Sequence, residues 1–291
     1  MKNKLVVLMG LLLFTTSCTH TAIQPPAPPP VVTPVPAPTP APVPTPTPPV
    51  TPPSGGNSNL TMDQVNKIVN GSACSKYAFG NRGPAPLGYL KGIVVSYART
   101  LCLYNTPNKT YAGQIGQAVG TDAHDALAHY GLNAATGGER IKETYNLLIG
   151  LGLRESSGQY GTGWDRSKLP GIQPTANNSE TGAFQVSYDN NSAMPASAAL
   201  YVTYQAQPDK CSLDIFKEGA DPVQQDFVGK PSAGYDFQYF MRYCPALQVD
   251  YAAAGIRVNR GQWGPLNRKE AEYYQPCEQM LSQVEVALTC N

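Results

Sequence analysis

A proline-rich stretch, residues 25–53, constrains the folding of this chain more than any other feature. It holds 16 of the 28 prolines, interleaved with alanine, valine and threonine. Proline has no backbone N–H for a helix or a central strand, so such a stretch adopts an extended polyproline conformation. At about 3.1 Å per residue it reaches roughly 90 Å when extended. We therefore expect a spacer that holds a folded domain away from the N-terminus.

The N-terminus has the layout of a bacterial export signal. Two lysines precede an apolar run over residues 5–14, and small residues lead to Cys18. The run is too short to span a bilayer. A cysteine at the cleavage position resembles a lipobox, although Thr15 stands where leucine is usual. We predict an exported protein with a lipid anchor at Cys18, either periplasmic or on the outer membrane, with plain secretion as the alternative.

These segments predict three regions: a signal peptide over 1–18, a proline-rich linker over 19–56 and one folded domain over 57–291. The domain is long enough for a single buried core and shows no internal repeat. Without the two N-terminal lysines it holds 19 basic and 20 acidic residues, a formal net charge of −1. A nucleic-acid-binding domain would show a basic excess, so nucleic acid is not an expected partner.

Six cysteines follow Cys18: Cys74, Cys102, Cys211, Cys244, Cys277 and Cys290. An even number in an exported chain predicts up to three disulfides, and no C-x-x-C pair indicates zinc. Fifteen pairings are possible in principle. Because each pair closes a local segment, we expect Cys74 to pair with Cys102 and Cys277 with Cys290.

Helical patterns dominate the domain, so the predicted fold class is mainly α, with long loops pinned by disulfides. Thr61 is a plausible N-cap, Asp122 opens an alanine-rich stretch to His129, and a glycine pair precedes a helix over 139–156. Further helices are predicted at 193–204, in pieces over 225–243, and at 268–288. The best strand candidates are the short apolar runs 93–95 and 184–186, and either one could be helical instead.

The helix over 139–156 carries an acidic residue on its apolar face. Steps of three and four residues lead along this face through Ile141, Tyr145, Leu148 and Gly152 to Glu155. Burial disfavours a charged carboxyl group and raises its pKa, which suits a general acid. The Ser-Ser-Gly that follows ends the helix, so the carboxyl group can face a cleft. An ion pair or a capping role for this acid is the structural alternative.

Two motifs follow in order, "GTGWDRS" at 161–167 and "ETGAFQVSYDNNS" at 180–192. Together with "ESSG" at 155–158 they resemble the goose-type lysozymes and lytic transglycosylases of the lysozyme superfamily. Those enzymes place Glu-Ser-x-Gly at the end of a buried helix, ahead of a Gly-Leu-Met/Phe-Gln-Val/Ile motif. "WGPLNRKEAE" at 263–272 is similar to a late cleft segment of secreted lysozyme-like proteins. The resemblance implies an α+β lysozyme-like fold.

The resemblance also implies roles for individual residues. Glu155 would protonate the glycosidic oxygen between N-acetylmuramic acid and N-acetylglucosamine in peptidoglycan. Gln185 and the backbone around Gly182 would line the sugar sites. Tyr188 and Trp164 would offer flat faces on which a sugar ring stacks, with ordinary core packing as the alternative for each ring.

The second carboxylate is less certain, because Ser187 stands where the goose-type enzymes often have aspartate. Ala183 also replaces the usual leucine. The candidates are Asp165, our first choice, Glu180 and Asp189. An inverting hydrolase needs this carboxylate as the base for water, at about 6.5–9.5 Å from the acid. A lytic transglycosylase needs no such base, since the 6-hydroxyl of the sugar attacks and leaves an anhydro end. The sequence leaves both reactions open.

The near-neutral charge of the domain bears on the form of the substrate. Acidic residues around the cleft, such as Asp165, Glu180 and Asp189, would favour a glycan with free amines. The spacer, the cysteines and the motifs together also resemble lysozymes that predatory bacteria use on deacetylated walls. We therefore expect peptidoglycan glycan strands as the partner, with deacetylated strands preferred.

A rival interpretation is a non-catalytic wall-binding lipoprotein on a lysozyme-like scaffold. Metal catalysis is disfavoured, because the five-residue separation of His124 and His129 does not present two ligands on one helical face. No cofactor is expected, and the protein is expected to act as a monomer.

Overall fold

The computed structural model describes residues 58–165 and 173–290. The predicted signal peptide, Cys18 and the linker lie outside the described residues, as do the last two residues of the "GTGWDRS" motif. All the described residues belong to one compact unit, Pro49–Asn291.

The described part of the chain is mainly helical, as predicted. Its α-helices are α1 (Met62–Gly71), α2 (Leu87–Tyr104), α3 (Thr110–Ile115), α4 (Ala126–Tyr130), α5 (Gly137–Ser156), α6 (Pro195–Gln205), α7 (Leu213–Phe216), α8 (Ala233–Tyr243), α9 (Pro245–Gly255), α10 (Gly264–Asn267) and α11 (Gln275–Ala287). Two short strands, β1 (Ala78–Phe79) and β2 (Gly83–Pro84), pair antiparallel, with Ala78 opposite Pro84. Over the described residues, the helices lack the combination of length and apolar character that crossing a membrane requires.

Capping boxes begin α1 and α5. The Thr61 hydroxyl accepts a hydrogen bond from the Gln64 N–H, and the Gln64 side chain accepts one from the Thr61 N–H at 2.8 Å. Thr136 and Glu139 repeat this arrangement at the start of α5. These bonds satisfy backbone donors that a helix leaves without intrahelical partners. The predicted cap at Thr61 is confirmed, and α5 begins at Gly137, two residues before the predicted start.

Four predicted helix starts were too early, although the helix expected over 193–204 forms nearly as predicted, as α6 from Pro195. The helix expected from Asp122 begins at Ala126, because Asp125 is the residue that caps it; its carboxylate accepts a 2.9 Å hydrogen bond from the N–H two residues on. Asp125 is also held in a buried ion pair with Arg257, at 3.0 Å. The helix expected over 225–243 forms only as α8, and the one expected from residue 268 begins as α11.

Neither strand candidate forms a strand. Residues 93–95 lie inside α2, which is buried nearly all round, and 184–186 lie in a turn closed by a single bridge between Thr181 and Val186. The helical alternative left open for 93–95 is therefore confirmed; α2 is buried on nearly every face, so it lacks the amphipathic period that would have marked its full length in the sequence.

The core is built around α2, α5 and α9, and every residue of α9 is buried. At its centre the Asp250 carboxylate accepts hydrogen bonds from three tyrosine hydroxyls, those of Tyr111, Tyr145 and Tyr204, at 2.7–2.9 Å. Arg99 donates a fourth at 2.9 Å. A buried carboxylate is tolerated when its oxygens are satisfied in this way, so this cluster ties five helices together.

Three disulfides join the six cysteines: Cys74–Cys277, Cys102–Cys290 and Cys211–Cys244. Their number is as predicted, but the two predicted pairings were wrong. Rigid helix lies between the local partners: about 22 Å of α2 precedes Cys102, and about 15 Å of α11 follows Cys277. A disulfide needs Cα atoms within about 7 Å.

Candidate active site

The last turn of α5 presents Glu155. The helix ends one residue later, as predicted, because Ser157 adopts a left-handed conformation with φ +58°. The N–H of Ser157 donates to the Leu153 carbonyl at 2.9 Å, and that of Gly158 donates to the Gly152 carbonyl at 3.0 Å. These bonds satisfy carbonyls at the end of the helix and turn the chain sharply away.

The helix face that leads to Glu155 is the core face, as its spacing predicted. Ile141, Tyr145 and Leu148 are fully buried, and Gly152 is buried beside them. Glu155 itself is half-buried. The carboxyl group thus lies where the apolar face of α5 meets the surface.

Gly152 allows α2 to approach this last turn closely. The Tyr89 hydroxyl donates to the Leu148 carbonyl at 2.7 Å. A Cβ atom on Gly152 would overlap the Tyr89 hydroxyl and lie 3.1 Å from the Phe184 ring. The position of Glu155 therefore depends on a glycine three residues before it.

A cavity of about 330 Å³ opens beside the end of α5. Its walls come from the turn after β1, from the end of α5 with the loop that follows, and from a segment near residue 222. The lining residues are Arg82, Glu155, Ser156, Ser157, Gln159, Gly161, Thr162, Asp221, Pro222 and Gln224. The volume is within the range of small-molecule sites, and most of the lining side chains are polar.

Gln224 connects the segment near residue 222 to the loop that follows α5. Its N–H donates to the Gly161 carbonyl at 3.0 Å, and its side-chain oxygen accepts from the Gly163 N–H at 2.8 Å. The Asp221 N–H donates to the side chain of Gln159 at 2.8 Å. Three hydrogen bonds therefore fix the width of the cavity between these two segments.

The turn at 181–186 supports the same loop from behind. Gln185 is only 5% exposed, and its amide donates to the carbonyls of Gly163, at 3.3 Å, and Gly182, at 2.9 Å. A Cβ atom on Gly182, where φ is +77°, would lie 2.6 Å from the Gln248 side chain. The structure thus places these two predicted sugar-binding residues beneath the loop, and contact with a sugar stays a prediction for both.

Five other predicted site residues lie outside the cavity walls that the described residues form: Trp164, Asp165, Glu180, Tyr188 and Asp189. The first four are half-buried, and Asp189 is exposed. The Tyr188 ring packs edge-on against Phe237 at 5.8 Å between ring centroids, which agrees with the core-packing alternative for that residue.

Charged side chains flank Glu155. Arg268 forms two 2.9 Å hydrogen bonds with Glu270, and Arg154 donates a third at 3.2 Å. The pKa of Glu270 is lowered to about 2, and the hydrogen bond from Arg268 is the main cause. The bonds to Glu270 raise the pKa of Arg268, and the negative charge of Glu155 adds to this effect. Arg82 donates to the Arg154 carbonyl at 2.7 Å.

The sequence did not predict Arg82, Asp221 or Gln224 as site residues. Asp221 matters most, because it places a second carboxylate on the wall of the cavity that holds Glu155. It lies in "GADPVQ", which has no recognisable motif. Only the packing of this segment against the loop after α5 identifies it.

No family model, curated protein or solved structure matches this chain. Over residues 58–165 and 173–290, no group of three His, Cys, Asp or Glu side chains is placed to hold a metal ion. The site is therefore described by its own geometry: a polar cavity with two carboxylates in its walls and arginines at its edge. Such a cavity suits proton transfer to a bound polar ligand.

Proposed function

We propose that this protein is a peptidoglycan-cleaving glycoside hydrolase in which Glu155 is the general acid. One observation carries the proposal: the buried apolar face of α5 ends at Glu155, on a cavity that Asp221 also lines. Glycoside hydrolysis uses two carboxyl groups that flank the scissile bond. The motif resemblance of the segments at 155–158 and 182–186 supports the same chemistry.

In the proposed reaction Glu155 donates its proton to the oxygen that bridges N-acetylmuramic acid and N-acetylglucosamine. The C–O bond breaks as positive charge develops on the sugar ring. A second carboxylate then takes a proton from water, whose oxygen attacks the ring carbon. Asp165, the first choice from the sequence, and Asp221, which lines the cavity, are the leading candidates for this base, and Glu180 and Asp189 stay as the other sequence candidates.

The polar lining of the cavity supports a sugar ligand. The amide side chains of Gln159 and Gln224 and the hydroxyl groups of Ser157 and Thr162 provide donors and acceptors for sugar hydroxyl and acetamido groups. A site that must recognise a carbohydrate needs many such groups at fixed positions, and the hydrogen bonds around Gln224 fix them.

We also propose which chemical form of peptidoglycan the protein cleaves and where the protein is located. Asp221 adds a negative charge to the cavity wall, which would favour a strand with free amines and therefore deacetylated peptidoglycan. Equal rates on acetylated and deacetylated sacculi would exclude this preference. We propose an exported monomer anchored through Cys18.

The deciding experiment is the digestion of purified sacculi by the full chain and by Glu155→Gln. We expect the substitution to reduce muropeptide release by about 10²–10⁴-fold, the usual contribution of general acid catalysis. Asp214→Asn is the matched control, since its side chain is 95% exposed on α7. Unchanged release by Glu155→Gln would refute the proposal, and no release by the parent chain would favour the non-catalytic wall-binding alternative.

Mass spectrometry of the same digest identifies the reaction. Reducing ends indicate hydrolysis, and 1,6-anhydro ends indicate the lytic transglycosylase alternative. Asp165→Asn and Asp221→Asn then separate the two leading base candidates. In a hydrolase, we expect only the substitution of the true base to abolish the release of reducing ends, because the other carboxylate takes no proton from water.

A further inference from the structure

An aromatic row runs along one side of α8. It consists of Phe227, Tyr235, Tyr239 and Tyr243. The Phe227 ring lies 5.8 Å from Tyr235 and 5.6 Å from Tyr239, and the rings of Tyr239 and Tyr243 are 4.6 Å apart. The three tyrosines recur every four residues, so they lie on one helix face and succeed one another by about 6 Å along the axis.

This aromatic row is partly open to water. Tyr239 is 51% exposed, and the other three rings are half-buried. The other large apolar side chains that the described residues leave exposed lie on three other helices: Met62 on α1, Val202 on α6 and Val286 on α11. Single exposed apolar side chains are normal, whereas a contiguous row marks a surface that binds something.

The row continues directly from the cavity wall. Gln225 follows the cavity residue Gln224, and its amide donates to the Tyr243 hydroxyl at 3.2 Å. Arg242, buried in α8, donates to the Gln224 carbonyl at 2.5 Å, and its guanidinium lies 4.3 Å from the centre of the Phe227 ring. The row and the wall are therefore one connected surface.

The chemistry of the row distinguishes between possible occupants. Tyrosine presents a flat apolar face with a polar edge, which matches a sugar ring with C–H groups on its faces and hydroxyl groups on its rim. Surfaces that bind membranes usually surround their aromatic residues with lysine and arginine. Here the exposed charged residue of α8 is Asp236, because Arg242 is fully buried.

We infer that the aromatic row binds the peptidoglycan glycan strand where it leaves the cavity. This inference rests on the proposed function, because it takes the cavity to hold part of the same strand. The strand would lay successive sugar rings against Tyr243, Tyr239 and Tyr235, and the row would hold the enzyme on the polymer between cleavage events.

Binding is measured with the full chain carrying Glu155→Gln, which leaves the strands undigested, by co-sedimentation with purified sacculi. In this background we expect Tyr239→Ala to weaken binding about fivefold and Tyr235→Ala with Tyr239→Ala about 25-fold, since one aromatic contact contributes about that factor. Tyr239→Phe keeps the ring and is expected to retain most of the binding. Val202→Ala removes an exposed apolar side chain from α6 and is expected to change nothing.

Unchanged binding by Tyr239→Ala, or an equal loss in Val202→Ala, would overturn the inference. So would a Tyr239→Ala defect seen on phosphatidylglycerol vesicles and not on sacculi. A thermal melt checks the fold of each variant, and little change is expected at so exposed a position. If the parent chain releases no muropeptides but Tyr239→Ala still weakens binding to sacculi, the cleavage proposal fails and the binding surface stands.

Discussion

The guanidinium of Arg268 and the carboxylate of Glu270 form a two-point ion pair, with both nitrogen–oxygen distances at 2.9 Å, and the charge of Glu155 acts on the same guanidinium. A cation near a carboxyl group favours its ionised form. A general acid works in its protonated form, so this pair is expected to set the upper pH limit of activity.

Arg268→Gln is therefore expected to move the basic limb of the pH profile of kcat/KM to higher pH, by about half a unit to one unit. Glu270→Gln removes the opposite charge from the same place and should move the limb to lower pH. The measurement is muropeptide release across pH at low ionic strength, where surface charges are least screened. Shifts in the same direction for both variants would contradict this role of the pair.

Gly152→Ala tests whether α5 must pack closely on α2 to place Glu155. The added methyl group would overlap the Tyr89 hydroxyl, and overpacking of this kind costs about 1–3 kcal/mol. We expect a lower free energy of unfolding together with reduced activity. Gly71→Ala is the control, because nothing lies within 4 Å of its added Cβ atom at the end of α1. Equal stability of the two variants would show that α2 can shift away from the added methyl group at little cost in free energy.

Glu143→Gln is expected to stabilise the protein in a pH-dependent way. Burial, with help from the charge of Glu278, raises the pKa of Glu143. A raised folded-state pKa means that ionisation disfavours the folded state above the unfolded-state value of about 4.3. The melting temperature of Glu143→Gln should therefore exceed that of the parent at pH 7 and match it near pH 4.

Glu139→Gln, on the same helix, is the opposite case. Hydrogen bonds from the backbone and side chain of Thr136 lower the pKa of Glu139. The stability it contributes is present above its unfolded-state pKa and is lost as pH falls through the lower folded-state value. Its replacement should lower the melting temperature at neutral pH. A gain at pH 7 would refute this account of the capping box.

Peptide mapping of the unreduced protein is expected to recover Cys74 linked to Cys277 and Cys102 linked to Cys290. Replacing both members of the first pair with serine should destabilise the fold by about 2–5 kcal/mol, because the link closes a loop of most of the domain. Recovery of Cys74 linked to Cys102 would contradict the packing of α1 against α11.

The helix that carries Glu155 could be predicted because its signals are local. Apolar residues at steps of three and four placed Glu155 on the buried face of α5, and the serine and glycine after it marked the end. The start of α1 at Thr61 was readable for the same reason, since a capping box involves residues three apart. The N-cap of α4 could not be predicted from the sequence, because Asp122 and Asp125 are equivalent candidates there. The ion pair with Arg257 in the folded protein distinguishes Asp125.

The walls of the cavity could not be predicted, because they join segments that are distant in the chain. Gln224 fixes Gly161 and Gly163, and no local pattern relates these residues. Gln185 illustrates the converse: its motif suggested contact with a sugar, which stays a prediction, whereas its amide donates to the Gly163 carbonyl in the loop after α5 and to the Gly182 carbonyl in its own turn. A motif specifies residue type and spacing, but hydrogen-bond partners are chosen by packing.

The sequence by itself determined a mainly helical domain, three disulfides in number and a glutamate at the end of a buried helix face. Each of these follows from composition or from a period of the chain. Only the tertiary structure decided which cysteines meet, that Asp221 shares a cavity with Glu155, and that the aromatic row adjoins it. These relationships depend on how rigid helices pack across long separations in sequence, and side chains brought together in this way leave no periodic signal in the chain.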